Sequence, residues 1–93
     1  MACDVRVASS SASFRAAWTR VGLVPDAGSA YFLPRIVGWG RATDMILTGD
    51  PVNADDALRI GLVTRVWPDA EFADAWRAYA RGLAQGATEA FAL

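Results

Sequence analysis

Hydrophobic and polar residues alternate in two short stretches of the chain. In residues 4–8, Val5 and Val7 stand between polar or small residues, and residues 62–67 repeat the pattern. An alternation with a period of two predicts a β-strand that buries one face. We therefore expect a strand at each place, with Val5 and Val7 on the buried face of the first.

Between and after these strands, apolar residues recur at the spacing of an amphipathic helix. Such segments lie at residues 27–37, 41–48, 54–60 and 70–83. A further helical turn begins at Thr88. Asn53 is expected to cap the third of these helices, because its side-chain oxygen can accept a hydrogen bond from the backbone of Asp56. The order of elements predicts an α/β protein.

The composition excludes several classes of chemistry. With no histidine and no lysine, the chain cannot build a Ser-His-Asp triad, a histidine-ligated metal site, a Schiff base or a P-loop. Its single cysteine, Cys3, can form neither an internal disulfide nor a CxxC zinc site, and we expect it in the core. Nine arginines balance ten acidic residues without a basic run, so no nucleic-acid partner is expected. The groups that remain for catalysis are carboxylates, hydroxyls, backbone amides and arginines.

The small size of the chain limits the hydrophobic core that it can form by itself. Apolar residues make up 54% of the 93 residues, but 19 of them are alanines, which bury little area. Two strands this far apart cannot form an independently stable sheet. We expect residues 1–93 to be the middle part of a larger domain. No apolar stretch approaches the ~18 residues of a membrane span and no signal peptide is recognisable, so we expect a cytoplasmic protein without a membrane partner.

Six segments of the chain carry a family pattern in one unbroken register. They are residues 2–8, 21–29, 33–38, 46–50, 53–57 and 61–63, with Phe14 after the first of them. This pattern resembles the central part of the crotonase (enoyl-CoA hydratase/isomerase) superfamily. The resemblance implies an incomplete crotonase-like ββα spiral, with two or three short strands and four or five helices in this portion. It also implies missing N-terminal and C-terminal portions, because family domains are much longer.

The resemblance implies chemistry on acyl-CoA thioesters. In the family, two backbone amides bind the thioester oxygen, an enolate forms, and one or two carboxylates move protons around it. Both amides belong to family segments that precede residue 1. Coenzyme A enters as part of the substrate, so no separate cofactor and no metal are implied. The complete protein is implied to be a homotrimer or hexamer.

The positions of the carboxylates indicate which reaction the resemblance implies. A hydratase uses two glutamates, and the second would lie four residues after Phe14, where this chain has Trp18. An indole cannot exchange protons with substrate. Asp26 instead stands where hydratases usually carry glycine, as in the isomerase and dehalogenase branches. Residues 22–29 look most like the ring-epoxide isomerases of phenylacetyl-CoA degradation and the enoyl-CoA isomerases, which implies an isomerase with Asp26 as the proton shuttle.

Each candidate site residue also has a purely structural interpretation. Asp26 precedes a helix, where an aspartate commonly serves as the N-cap. Trp18 either lines the acyl pocket or fills core. Pro25 and Gly28 are expected beside the substrate, although a simple turn explains a glycine equally well. Two alternatives to the isomerase stay open: a hydratase or other acyl-CoA enzyme of the family, and a non-catalytic truncated fragment.

Overall fold

Five α-helices and four short strands make up the computed structural model, which describes residues 1–92. The helices are α1 (Ser29–Val37), α2 (Trp39–Thr48), α3 (Ala54–Arg59), α4 (Asp69–Ala84) and α5 (Thr88–Phe91). The strands are β1 (Val7–Ser9), β2 (Ser13–Phe14), β3 (Val52–Asn53) and β4 (Arg65–Trp67). A single 3₁₀ turn, Thr19–Val21, lies between β2 and α1. The mixed α/β class is confirmed, and the two-residue strands β2 and β3 bring the strands to four.

The strands form two small pairings. β1 and β4 run parallel, with Ala8 opposite Val66, and the intervening helices supply the crossover that parallel strands need. β2 and β3 run antiparallel, with Phe14 opposite Val52. Periodicity does not reveal a strand of two residues, so β2 and β3 escape prediction from the sequence.

The first strand begins later than expected and buries a different face. Val5 is 41% exposed, whereas Ala8 is only 4% exposed. The expectation that Val5 and Val7 form the buried face is therefore wrong, and so is the core position expected for Cys3, which is exposed. Pairing with β4 sets the register of β1, and a shift of one residue exchanges the two faces of a strand.

The core is small and rich in alanine. Its buried members are Ala8, Ala16, Leu33, Val37, Ala42, Met45, Ala57, Leu62 and Val63. α4 has no fully buried residue along its length, and it attaches to the sheet through Phe72 and Tyr79, whose rings lie against Trp67. Among residues 1–92, no helix combines the length and the apolar character needed to cross a membrane.

The helices α1 and α2 are the part of the core beside the candidate site. Gly38 ends α1 and precedes α2 directly, and the two helices contribute Leu33, Val37, Ala42 and Met45 to the core. The 3₁₀ turn packs against α2. The segment between that turn and α1 contains Asp26. This candidate catalytic residue is therefore attached at one end to a turn that packs on α2 and at the other end to α1.

Candidate active site

Two residues singled out from the sequence, Trp18 and Asp26, contact each other directly. The indole Nε1 of Trp18 donates a hydrogen bond of 2.6 Å to Oδ1 of Asp26. Trp18 is half-buried and packs against the core cluster, while Asp26 is exposed. The contact engages one carboxylate oxygen, so the second oxygen remains available to a substrate.

The 3₁₀ turn explains how two residues eight positions apart meet. The carbonyl of Trp18 accepts hydrogen bonds from the backbone N–H groups of Val21 (3.1 Å) and Leu23 (2.8 Å). Gly22 adopts a left-handed conformation at φ 73°, which a residue with a Cβ adopts only at a cost. The chain thus reverses its direction and returns Asp26 to the edge of the Trp18 ring.

The backbone of Asp26 is held by a tight turn at the start of α1. Ala27 and Gly28 have φ values of 50° and 77°, and the N–H of Ser29 donates to the carbonyl of Asp26 at 2.8 Å, as in a type I′ turn. The hydroxyl of Ser29 donates to the same carbonyl, and Ser29 is only 1% exposed. The sequence analysis did not identify Ser29. The one signal for it is that a small polar residue directly follows a glycine at the start of a helix.

The interpretation of Asp26 as the cap of α1 is wrong. Gly28 is the N-cap of this helix, and in the described part of the chain no side-chain hydrogen bond caps it. The carboxylate of Asp26 instead accepts the indole N–H of Trp18. The side-chain carboxylate of Asp26 therefore does not cap the helix that follows it, although the Asp26 carbonyl accepts from Ser29.

Pro25 directly precedes this turn and Gly28 lies within it. Pro25 is half-buried and Gly28 is exposed. A Cβ added to Gly28 would lie 3.0 Å from Cε2 of Phe32, so close packing and the positive φ both favour glycine here. This geometry supports the turn interpretation of Gly28. A substrate-binding role for either residue stays a prediction.

A small apolar cavity borders Trp18. It has a volume of about 140 Å³, and Phe14, Leu33 and Met45 are among the residues that line it. A wider groove of about 400 Å³ lies between α2 and α3 and is lined by Arg41 and Arg59 among others. The lining of that groove includes neither Trp18 nor Asp26. Trp18 therefore packs on the core and also borders the small cavity, whose lining does not include Asp26. A role for Trp18 in an acyl pocket stays a prediction.

The whole chain matches one protein family. The match covers residues 1–93, and the family is described as enoyl-CoA hydratase/isomerase. The chain belongs to this family. The enoyl-CoA hydratase/isomerase fold is also found in a solved enoyl-CoA hydratase from Mycobacterium avium, which is 44% identical with a TM-score of 0.89 and covers 96% of this chain and 40% of its own.

Two named relatives of this chain differ in the activity that their names give. A probable enoyl-CoA hydratase of Rhodobacter capsulatus is 47% identical over 99% of this chain and 36% of its own length. The 4-chlorobenzoyl coenzyme A dehalogenase-1 of an Arthrobacter species is 41% identical over 95% of this chain and 32% of its own length. The chain therefore spans about a third of these relatives. Their names are hydratase and dehalogenase, so the expected closeness to the isomerase branch stays a prediction.

Proposed function

We propose that the native polypeptide, meaning the complete translated product that contains these residues, is an acyl-CoA isomerase with Asp26 as its proton shuttle. The hydrogen bond from Trp18 to Asp26 carries this proposal. The resemblance places the second glutamate of a hydratase at position 18, where this chain has Trp18. The indole of Trp18 donates a hydrogen bond to the Asp26 carboxylate and does not provide a second carboxylate. A single carboxylate suffices when one proton moves between two carbons of the same substrate.

In the proposed reaction, the unengaged oxygen of Asp26 accepts a proton from the carbon next to the thioester. The electron pair of that C–H bond moves into the thioester carbonyl, and the resulting enolate is stabilised by backbone amides that the family places before residue 1. Asp26 then returns the proton to another carbon of the enolate, which shifts the double bond. Trp18 holds Oδ1 throughout, so it directs the other oxygen toward the substrate.

The test of this proposal is Asp26→Asn in the native polypeptide. The amide keeps the size of the side chain and can still accept the indole N–H, but it cannot take up a proton. We expect turnover of a 3-enoyl-CoA to fall by about 10²–10⁴, with little change in substrate binding. Asp74→Asn, an exposed aspartate on α4, is the matched control and should keep the wild-type rate. An unchanged rate in Asp26→Asn would overturn the proposal.

A second candidate function is favoured by the same contact and by the Arthrobacter relative that is named a dehalogenase. A carboxylate held through one oxygen can act as a nucleophile through the other. That oxygen would form a bond to the chlorine-bearing carbon, chloride would leave, and water would hydrolyse the ester to regenerate Asp26. Release of chloride from 4-chlorobenzoyl-CoA by the native polypeptide, without isomerisation of a 3-enoyl-CoA, would favour this candidate.

A hydratase is the remaining enzymatic alternative. Hydration needs a second carboxylate, and position 18, where the resemblance places it, carries an indole. The same assays distinguish this alternative, because a hydratase forms a 3-hydroxyacyl-CoA from a 2-enoyl-CoA. Such a product from the native polypeptide would count for a hydratase and against the isomerase.

A further inference from the structure

Two side chains tie the 3₁₀ turn that follows Trp18 to the end of α2. The hydroxyl of Thr19 donates to the carbonyl of Ile46 at 2.7 Å. Arg20 donates through Nε to the carbonyl of Thr48 at 3.0 Å and through Nη2 to Oδ1 of Asp50 at 2.7 Å. The last carbonyls of a helix have no partner within the helix, so the bonds to Ile46 and Thr48 fill acceptor positions that α2 leaves open.

Arg20 lies in a closely fitted position against the backbone. Gly49 follows α2, is buried and has a φ of 61°. A Cβ at this position would lie 2.8 Å from Nε of Arg20 and 2.9 Å from its Cγ. The stem of Arg20 therefore rests directly on the glycine, and its guanidinium reaches both acceptors from there.

The segment from the end of the 3₁₀ turn to Asp26 gains little stability from burial. Val21, Leu23 and Val24 are 69%, 57% and 79% exposed. α2 is anchored in the core through Ala42 and Met45, which are 1% and 7% exposed. The bonds from Thr19 and Arg20 thus connect an exposed segment to a fixed helix.

We propose that Arg20 is a positioning residue, which acts through the 3₁₀ turn to hold the Trp18 indole against the Asp26 carboxylate. Arg20 touches neither Trp18 nor Asp26 by hydrogen bond in the described chain, so its effect passes through the backbone that joins them. The catalytic consequence rests on the proposed function. The structural consequence, the geometry of the Trp18–Asp26 contact, can be measured without turnover.

The first measurement is the NMR resonance of the Trp18 indole N–H in the native polypeptide, assigned by its loss in Trp18→Phe. A short hydrogen bond to a carboxylate shifts this resonance downfield. In Arg20→Ala we expect it to move toward the position of a solvated indole. Arg59→Ala is the matched control, since Arg59 is also exposed and bonds to an aspartate, Asp56, at 3.1 Å. It should leave the resonance in place.

The second measurement separates positioning from general destabilisation. Arg20→Ala should lower kcat by about tenfold with little change in KM, because a small displacement of a catalytic group is costly. Arg20→Lys keeps the charge beside Asp50 but lacks the planar fork, so we expect partial recovery. In the Asp26→Asn background, Arg20→Ala should cause no further loss of kcat, because the two changes act through the same group.

The outcomes distinguish this inference from the proposed function. An unchanged indole resonance in folded Arg20→Ala, or an additive loss of kcat in the double variant, overturns the role of Arg20. If Asp26→Asn stays active while Arg20→Ala still moves the resonance, the proposed function fails and the positioning stands. Should Arg20→Ala not fold, Asp50→Asn removes only the ion pair and should move the resonance by a smaller amount in the same direction. No movement there would also overturn the inference.

Discussion

At the scale of single residues, the backbone next to Asp26 is strained. Ala27 has a φ of 50°, in the left-handed region that residues with a Cβ enter at a cost of about 1–2 kcal/mol. Such strain persists only where the surroundings impose it. Buried Ser29 does so here, because both its N–H and its hydroxyl donate to the carbonyl of Asp26. The strain at Ala27 is thus a consequence of the turn that holds the backbone of Asp26 against Ser29.

The strain at Ala27 predicts the effect of a glycine substitution. Ala27→Gly should raise the free energy of unfolding by about 0.5–1 kcal/mol, since relief of the left-handed strain exceeds the extra entropy that glycine loses on folding. Ala30→Gly, the same substitution inside α1, should lower it by about 1 kcal/mol. Chemical denaturation of the native polypeptide measures both. Equal destabilisation by the two variants would contradict the assignment of strain.

At the scale of elements, Asp69 joins the start of α4 to the turn that follows β1. Its Oδ1 accepts hydrogen bonds from the N–H of Ser11 at 3.0 Å and from the hydroxyl of Ser10 at 3.1 Å. The side chain of Ser11 first, and then its backbone N–H, hold the pKa of Asp69 below its ordinary value of 3.8, against an opposing effect of desolvation and with smaller help from Ser10. The attachment of α4 at this point therefore depends on a charged carboxylate.

The lowered pKa of Asp69 predicts a pH dependence of stability. Because its pKa is lower in the folded state, Asp69 contributes fully above the ordinary value of 3.8, and the contribution is lost as the pH falls through the folded pKa. Asp69→Asn keeps an oxygen acceptor without the charge. The loss of stability caused by Asp69→Asn should therefore be largest above the ordinary pKa of 3.8, and it should shrink as the pH falls below that value and through the folded pKa.

The free energy of unfolding of the native polypeptide, measured by denaturation at pH values above and below 3.8, reports the effect of Asp69. The matched control is Asp74→Asn, which removes a carboxylate further along α4. Its deficit should change less with pH than that of Asp69→Asn. The same deficit for Asp69→Asn at every pH would contradict a role for the charge.

At the scale of the whole molecule, the described chain is open in shape. Its radius of gyration is 15.0 Å and its extents are 44 × 32 × 20 Å, whereas a compact domain of this length has a radius of gyration of about 12 Å. Large apolar side chains also lie on its surface, among them Val24, Trp39 and Leu47, each at least 70% exposed. Exposed apolar surface of this kind is typical of regions that pack against further protein.

This shape predicts the behaviour of the 93-residue chain when it is expressed alone. We expect it to be poorly folded or associated, without a cooperative monomeric transition in calorimetry, and to show no turnover of any acyl-CoA. Light scattering coupled to gel filtration reports its association, and the native polypeptide treated in parallel is the control. A sharp transition of a monomer, or isomerase activity of the isolated chain, would contradict the expectation that residues 1–93 need additional segments.

The features determined by the sequence alone are those that a few neighbouring residues complete. Asn53 caps α3 as predicted, with its Oδ1 accepting the N–H of Asp56 at 2.8 Å. α1 and α2 end at Gly38 and Gly49, and the register of the family pattern led to the correct family. Caps and helix ends depend on hydrogen bonds that span three or four residues, so the local sequence specifies them.

Only the tertiary structure decided which distant groups meet. The buried face of β1 follows from its pairing with β4, and the alternation of Val5 and Val7 could not predict that register. The partner of Asp26 is Trp18, which the sequence places either in the acyl pocket or in the core. Arg20 reaches Asp50 across thirty positions. Such contacts depend on how the turn, α1 and α2 pack together, and side-chain packing over these separations leaves no periodic signal in the sequence.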